Sequence, residues 1–266
     1  MIPGGKGANQ AVAIARLLTD RCVKFACQFG NDAHAKALEQ ALKDNKLDLS
    51  ACGYSKVCPS GQGYVLLEKD GSVSSIVVGG ANVAWPSKMG ALEDTVRGAA
   101  ALMLQCEVPA AVNEVLAAAA SQKGVPVILD VGGEDRAISD ALMNQLTYIS
   151  LNLSELQRLT SMPASSEEQV IAAAKSLLTR GARNVLVTMG DKGSLVLRAD
   201  GKVLKQRCCP VPGGKVVDAT AAGDAYRAAF VCGLVEEKAL EECMQLGSAA
   251  GALCVARLGE ETYIVV

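Results

Sequence analysis

From residue 99 onward the chain alternates strand-like and helix-like segments, and this rhythm limits its fold more than any other feature. "AALMLQCE" (100–107) reads as a strand and 110–122 as a helix. "VPVILD" (125–130) is a strand followed by a short helix; "TYISLN" (147–152) is a strand and "LSELQRL" (153–159) opens a helix. Residues 166–180 form a helix, "NVLVTMG" (184–190) a strand, and a hairpin follows around Asp200-Gly201. Helices over 224–235 and 239–256 close the pattern. Repeated strand–helix units predict an α/β fold, a mostly parallel central sheet with helices on both faces.

The first hundred residues keep a different rhythm. Residues 6–18 carry Ala8, Ala11, Val12, Ala15 and Leu18 at helical spacing. "VKFACQF" (23–29) reads as a strand and 33–45 as a helix. "GYVLLE" and "SVSSIVV" flank Asp70-Gly71, the signature of a hairpin. That hairpin, over residues 61–79, is read as a small β lid on a single domain spanning 1–266.

In an open α/β sheet, ligands sit beyond the carboxyl ends of the strands. Glu107, Asp130, Asn152, Gly190 and Asp224 follow predicted strands or open a helix, so the fold would gather them along one edge. Asp224 lies in "VVDATAAGDAYRAAF" (216–230). The small residues Ala221, Ala222 and Gly223 let an anion approach the unpaired N–H groups of a helix start. A transferred phosphoryl group would fit there, with Asp224 facing the attacking hydroxyl as its base. The plainer alternative is an aspartate that only caps its helix. At the other end, "PGGKGANQAVAIARL" (3–17) sets Gly4, Gly5 and Gly7 before a helix. Gly-Lys is followed by Gly7, so this is not a Walker A loop; with no strand before it, it is not a dinucleotide fingerprint.

Composition removes other classes. A net charge of −2, no basic cluster and 3% aromatic residues argue against nucleic-acid binding. No apolar run nears the ~18 residues of a membrane span, and residue 1 leads directly into the glycine stretch with no signal peptide. Ten irregularly spaced cysteines and one histidine support neither a zinc site nor a disulfide framework. Reduced thiols in a cytoplasmic protein are the expectation, with a plastid the alternative if a transit peptide precedes Met1.

"GGKGANQAVAIARL" and "DATAAGDAYRAAF" resemble the two signature motifs of the ribokinase-like (PfkB) carbohydrate kinases. "GGAN" (79–82), "LMLQCE" (102–107), "NLSE" (152–155) and "VTMGDKG" (187–193) lie where that family has its counterparts, and "GVPVILDVGG" (124–133) is similar to its plant-type branch. The resemblance implies a three-layer α/β/α sandwich with a β lid, and ATP-dependent phosphorylation of ribose at O5. Gly5, Lys6, Gly7, Ala8, Asn9 and Glu107 would hold the sugar. Asp224 would be the base, with Ala221, Ala222 and Gly223 forming the anion hole. Asn152, Thr188, Met189, Gly190, Asp191, Lys192, Gly193, Gly223, Asp224 and Ser248 would hold ATP. Glu155 would organise Mg²⁺, and Asp218, Thr220, Cys254, Arg257 and Gly259 would hold K⁺. Pairing of two copies through the lid is also implied.

Three departures from the family stand out. The chain begins just before the glycine motif, so the preceding strand, its Asp-bearing turn and part of the lid are expected to be lacking. Tyr263 stands where the family has a small hydroxyl residue near the cation, which puts K⁺ activation in question. Tyr226 and Arg227 replace a phenylalanine and a small or polar residue, and the sequence gives no account of Arg227. Competing readings are another sugar or nucleoside kinase of the family, or a truncated pseudokinase that binds nucleotide without transfer.

Overall fold

A computed structural model describes residues 4–67, 73–86 and 90–257. The chain opens with helix α1 (Lys6–Leu17), followed by strand β1 (Gln28–Phe29), helix α2 (Ala33–Asp44) and strand β2 (Gly53–Tyr54). Strands β3 (Gln62–Leu67) and β4 (Val73–Val78) pair antiparallel as a separate two-stranded unit. The turn at Asp70-Gly71 lies outside the described residues.

After the short helix α3 (Gly90–Glu93), the chain builds its main layer. The elements are β5 (Leu102–Cys106), α4 (Ala110–Gln122), β6 (Val127–Gly133), α5 (Asp140–Met143), β7 (Tyr148–Asn152), α6 (Leu153–Thr160), α7 (Glu167–Thr179) and β8 (Asn184–Thr188). The hairpin strands β9 (Ser194–Arg198) and β10 (Val203–Gln206) follow, then α8 (Ala222–Val235) and α9 (Leu240–Val255). The six-stranded sheet has the order β10-β9-β8-β7-β6-β5, parallel from β5 to β8 and antiparallel across β8-β9-β10.

Strand side chains alternate between faces, and each face has its own core. Leu129, Ile149, Leu151, Val185 and Val187 meet α4 and α7 on one side. Ile128, Tyr148, Leu186 and Val196 meet Tyr226, Phe230 and Val231 of α8 on the other. Residues Asp224 to Gly233 of α8 are all buried, because the helix runs between the sheet, α1 and α9. Small residues make that possible: Ala13, Ala225, Ala228, Ala229 and Ala250 form the three-helix contact. A Cβ on Gly247 would come within 2.9 Å of Tyr226.

The predicted strand at 23–29 is corrected: only Gln28–Phe29 forms a strand, beside a single bridge from Lys24 to Asp48. It pairs with β2 rather than joining the main sheet. Its alternation is satisfied by a local core of Val12, Phe29, Leu42 and Leu47 under α1 and α2. β6 runs three residues past Asp130, with a register shift opposite Gln105 and Cys106 that turns the backbone near the site.

Candidate active site

Asp224 is the third residue of α8 and is buried. It does not cap its helix; the N-cap is Ala221, which makes no side-chain cap bond. Both carboxylate oxygens instead accept hydrogen bonds from α1, Oδ2 from Asn9 Nδ2 at 3.0 Å and Oδ1 from Gln10 Nε2 at 2.9 Å. Burial raises the Asp224 pKa above the usual aspartate value; Lys6 and Asn9 oppose the rise, and the nearby Asp130 adds to it.

Ala221 takes φ 60°, ψ 2°, a left-handed conformation uncommon outside glycine, and so bends the chain into the head of α8. Ala222 N–H donates to the Ala219 carbonyl at 3.3 Å. The N–H groups of Gly223 and Asp224 have no acceptor among the described residues. Unpaired first-turn amides at the positive end of a helix dipole make an anion site.

The glycine stretch faces this point. Gly5 precedes α1 at φ 97°, a conformation open to glycine, and the next amide, Lys6 N–H, donates to Glu107 Oε2 at 2.9 Å. Burial raises the Glu107 pKa; the Lys6 amide and charge oppose the rise. Lys6 Nζ stands 3.9 Å from Asp130 Oδ2. Burial works against the Lys6 charge, but Asp130 and Asp224 outweigh it and hold the amine as a cation. Gly7 backs onto Gln105 and Phe25, and Ala8 is buried in the α1–α2 core, so only its backbone is available to a ligand.

Between these parts lies a buried polar network. Gln10 Nε2 bridges two acids, donating to Asp130 Oδ2 at 2.7 Å as well as to Asp224. Gln10 Oε1 accepts from Gln105 Nε2 at 2.8 Å, which fixes the direction of the amide. Arg227, on the second turn of α8, donates from Nε to Ser150 Oγ at 2.8 Å. Its Nη2 lies 3.3 Å from Asp130 Oδ1 and 3.6 Å from Glu155 Oε2. Glu155 also completes a capping box on α6: Glu155 N donates to Asn152 Oδ1, and Asn152 N to Glu155 Oε2 at 2.8 Å.

The remaining predicted residues surround this centre. Asn152 ends β7, and Thr188 ends the neighbouring β8. Met189 leads into a tight turn over Gly190, Asp191 and Lys192, closed by Gly193 at φ 89°. A Cβ on Gly193 would strike the Gln206 carbonyl at 2.0 Å. Ser248 on α9 is engaged with the segment that follows β10: its Oγ accepts from Cys209 N at 2.8 Å and donates to the Arg207 carbonyl at 3.2 Å. At the C-terminus of α9, Asp218 N–H donates to the Val255 carbonyl, Cys254 Sγ–H to the Thr220 carbonyl, and Arg257 N–H to the Cys254 carbonyl. Asp218, Thr220, Cys254 and Arg257 therefore share one corner; Gly259 and Tyr263 lie outside the described residues.

The sequence does not mark Gln10 or Ser150 as site residues and assigns no role to Arg227. Gln10 follows Asn9 directly in the glycine stretch, and a lone arginine in an alanine-rich helix signals a buried partner. Ser150 carries no such mark.

The model of the pfkB family carbohydrate kinases matches residues 1–264. Over 258 residues the chain is 40% identical to a ribokinase of Arabidopsis thaliana, covering 96% of this chain and 67% of that protein. It is 31% identical to a ribokinase of Haemophilus influenzae, covering 98% of this chain and 83% of the relative. The solved structure of Arabidopsis thaliana ribokinase complexed with ribose and ATP superposes with a TM-score of 0.89 at 41% identity, covering 95% of this chain and 81% of that one. The chain belongs to the pfkB family of carbohydrate kinases.

Proposed function

We propose that this protein transfers the γ-phosphoryl group of ATP to O5 of D-ribose. One observation carries the reading: Asp224 is buried at the head of α8, both oxygens oriented by α1, beside two amides that have no acceptor among the described residues. The similarity to the Arabidopsis enzyme bound to ribose and ATP supports the choice of substrates.

The sugar lies against Gly5, Lys6, Gly7, Ala8 and Asn9, with Glu107 taking a hydroxyl. Asp224 removes the O5 proton as O5 attacks the γ-phosphorus and the bond to the ADP oxygen breaks. At the anion hole of Ala221, Ala222 and Gly223, the amides of Gly223 and Asp224 take up the charge on the transferred group, since that of Ala222 is engaged by Ala219; positioning and charge stabilisation supply most of such catalysis. A base with a raised pKa suits this task, since it holds the proton more firmly. Asn152, the turn from Thr188 to Gly193 and the α9 surface at Ser248 hold the nucleotide.

Glu155 Oε2 is taken by Asn152, while its Oε1 makes no hydrogen bond among the described residues and faces Gly132, where a Cβ would stand 2.9 Å away. That arrangement fits Mg²⁺, which takes few carboxylates and keeps its waters. Bound there, Mg²⁺ would neutralise charge on the β- and γ-phosphates. K⁺, if bound, would be held at the corner formed by Asp218, Thr220, Cys254 and Arg257. The chain reads as one kinase domain, with the paired strands β3 and β4 as its lid. Exposed Tyr64, Ile76, Val77 and Val78 on that hairpin are the surface for pairing with a second copy. Ten free cysteines suit the reducing cytoplasm.

The test is to supply ATP and Mg²⁺ with ribose, deoxyribose, fructose or adenosine in turn and to follow ADP. Ribose-dependent release with ribose 5-phosphate as product is expected. Turnover of adenosine without ribose, or nucleotide binding with no transfer to any acceptor, would overturn the proposal.

A further inference from the structure

Arg227 is unusual in both place and company. It is only 3% exposed, and its side chain runs back toward the start of α8, as helical side chains do. Its Nη1 lies 2.6 Å from where a Cβ on Gly223 would be, so glycine at 223 makes room for the guanidinium under the anion site. Ser150 fixes its Nε, and Asp130 and Glu155 flank its Nη2. Yet among the described residues Nη2 has no hydrogen-bond acceptor and keeps protons to give.

Charge makes this consequential. Glu107, Asp130, Glu155 and Asp224 bring four carboxyl groups to the site, against the two cations Lys6 and Arg227. A pocket with that excess of acid would repel a nucleotide's phosphates. Lys6 sits on the glycine-loop side, whereas Arg227 lies beneath the head of α8. An arginine keeps its charge when buried and can hold two carboxylates at once.

We propose that Arg227 is a positioning residue of the phosphoryl-transfer site: one guanidinium holds Asp130 and Glu155 in place and keeps a permanent positive charge beneath the first turn of α8, where the nucleotide's phosphates bind. The inference rests on the nucleotide reading of the site, but not on ribose as the acceptor. The opposing view is that Arg227 is a buried ion pair with no bearing on ligands.

The test measures ATP affinity by calorimetry in EDTA, and the Mg²⁺ concentration for half-maximal activity, in the wild type, Arg227→Gln and Arg227→Lys. In Arg227→Gln, metal-free ATP affinity falls about tenfold or more, since an uncompensated negative charge faces the phosphates. Arg227→Lys keeps the charge but not the forked geometry. Its metal-free affinity stays within about threefold of wild type, while its Mg²⁺ requirement rises about threefold or more. The KM for ribose changes less than about twofold in both, because neither touches the sugar. If Arg227→Gln does not fold, the lysine variant carries the test. Wild-type Mg²⁺ dependence in a folded lysine variant, or unchanged metal-free ATP binding in a folded glutamine variant, would overturn the proposal, as would a wild type that binds no ATP without metal. Should ribose prove not to be the acceptor, the EDTA titration still reads the arginine on its own.

Discussion

The two ends of the crevice are built by different means. At the phosphoryl end, side chains from α1, β6, β7, α6 and α8 meet in a buried network, and Asn9 reaches an aspartate 215 positions away. At the proposed nucleotide end, the shape comes from backbone: a tight turn over Gly190–Lys192, a glycine in the left-handed region, and a loop pinned by Ser248. A buried polar network is strong when complete and costly when one member is lost. A backbone loop on the surface tolerates more, except where its geometry demands glycine. Substitutions at the first end should strike kcat, except at Arg227, whose charge lies beneath the phosphates and bears on ATP binding as well; substitutions at the second should strike the KM for ATP.

Leaving Asp224 itself aside, the largest effect falls on Gln10. Gln10→Leu removes one donor from each of two buried carboxylates, at about 1–3 kcal/mol apiece. Steady-state kinetics should show kcat reduced by about 10–100-fold with the KM for ATP near wild type. An equal change in the KM for ATP would break the comparison. Gly193→Ala comes next: the positive φ and the contact with the Gln206 carbonyl cost about 1–3 kcal/mol. A higher KM for ATP and a lower Tm are expected, with kcat little altered.

A smaller and sharper effect concerns pH. In the proposed role Asp224 acts as a base only when ionised, and its pKa is raised, so kcat/KM should fall with decreasing pH at a point above that of an ordinary aspartate. Asp130 contributes to the rise, hence Asp130→Asn should move that limb to lower pH. A limb that stays in place would detach Asp130 from the base. The least effect is expected for Ser248→Ala, which frees the loop at Arg207 and Cys209 for about 1 kcal/mol and leaves the KM for ribose unchanged.

The same contrast explains what could be read from the sequence. Alternation from residue 99 revealed the main sheet, because hydrophobic period is a local signal. Asp224 and the glycine stretch were legible because each motif is local and its residue types suit anion binding. The cap alternative for Asp224 was settled only in three dimensions, where Asn9 and Gln10 occupy both oxygens. Ser150 and Arg227 meet across 77 positions, and no pattern within either segment reports the other. Residues 23–29 misled because a segment that alternates over a small local core looks like a sheet strand.

The central claim is that Asp224 takes the proton from the acceptor hydroxyl. Asp224→Asn keeps the size of the side chain and its place at the head of α8, so single-turnover phosphoryl transfer can be measured alongside calorimetric binding of ribose. The account predicts retained ribose binding with transfer slowed by about 10²–10⁴-fold. Transfer at the wild-type rate by a folded Asp224→Asn protein would contradict it.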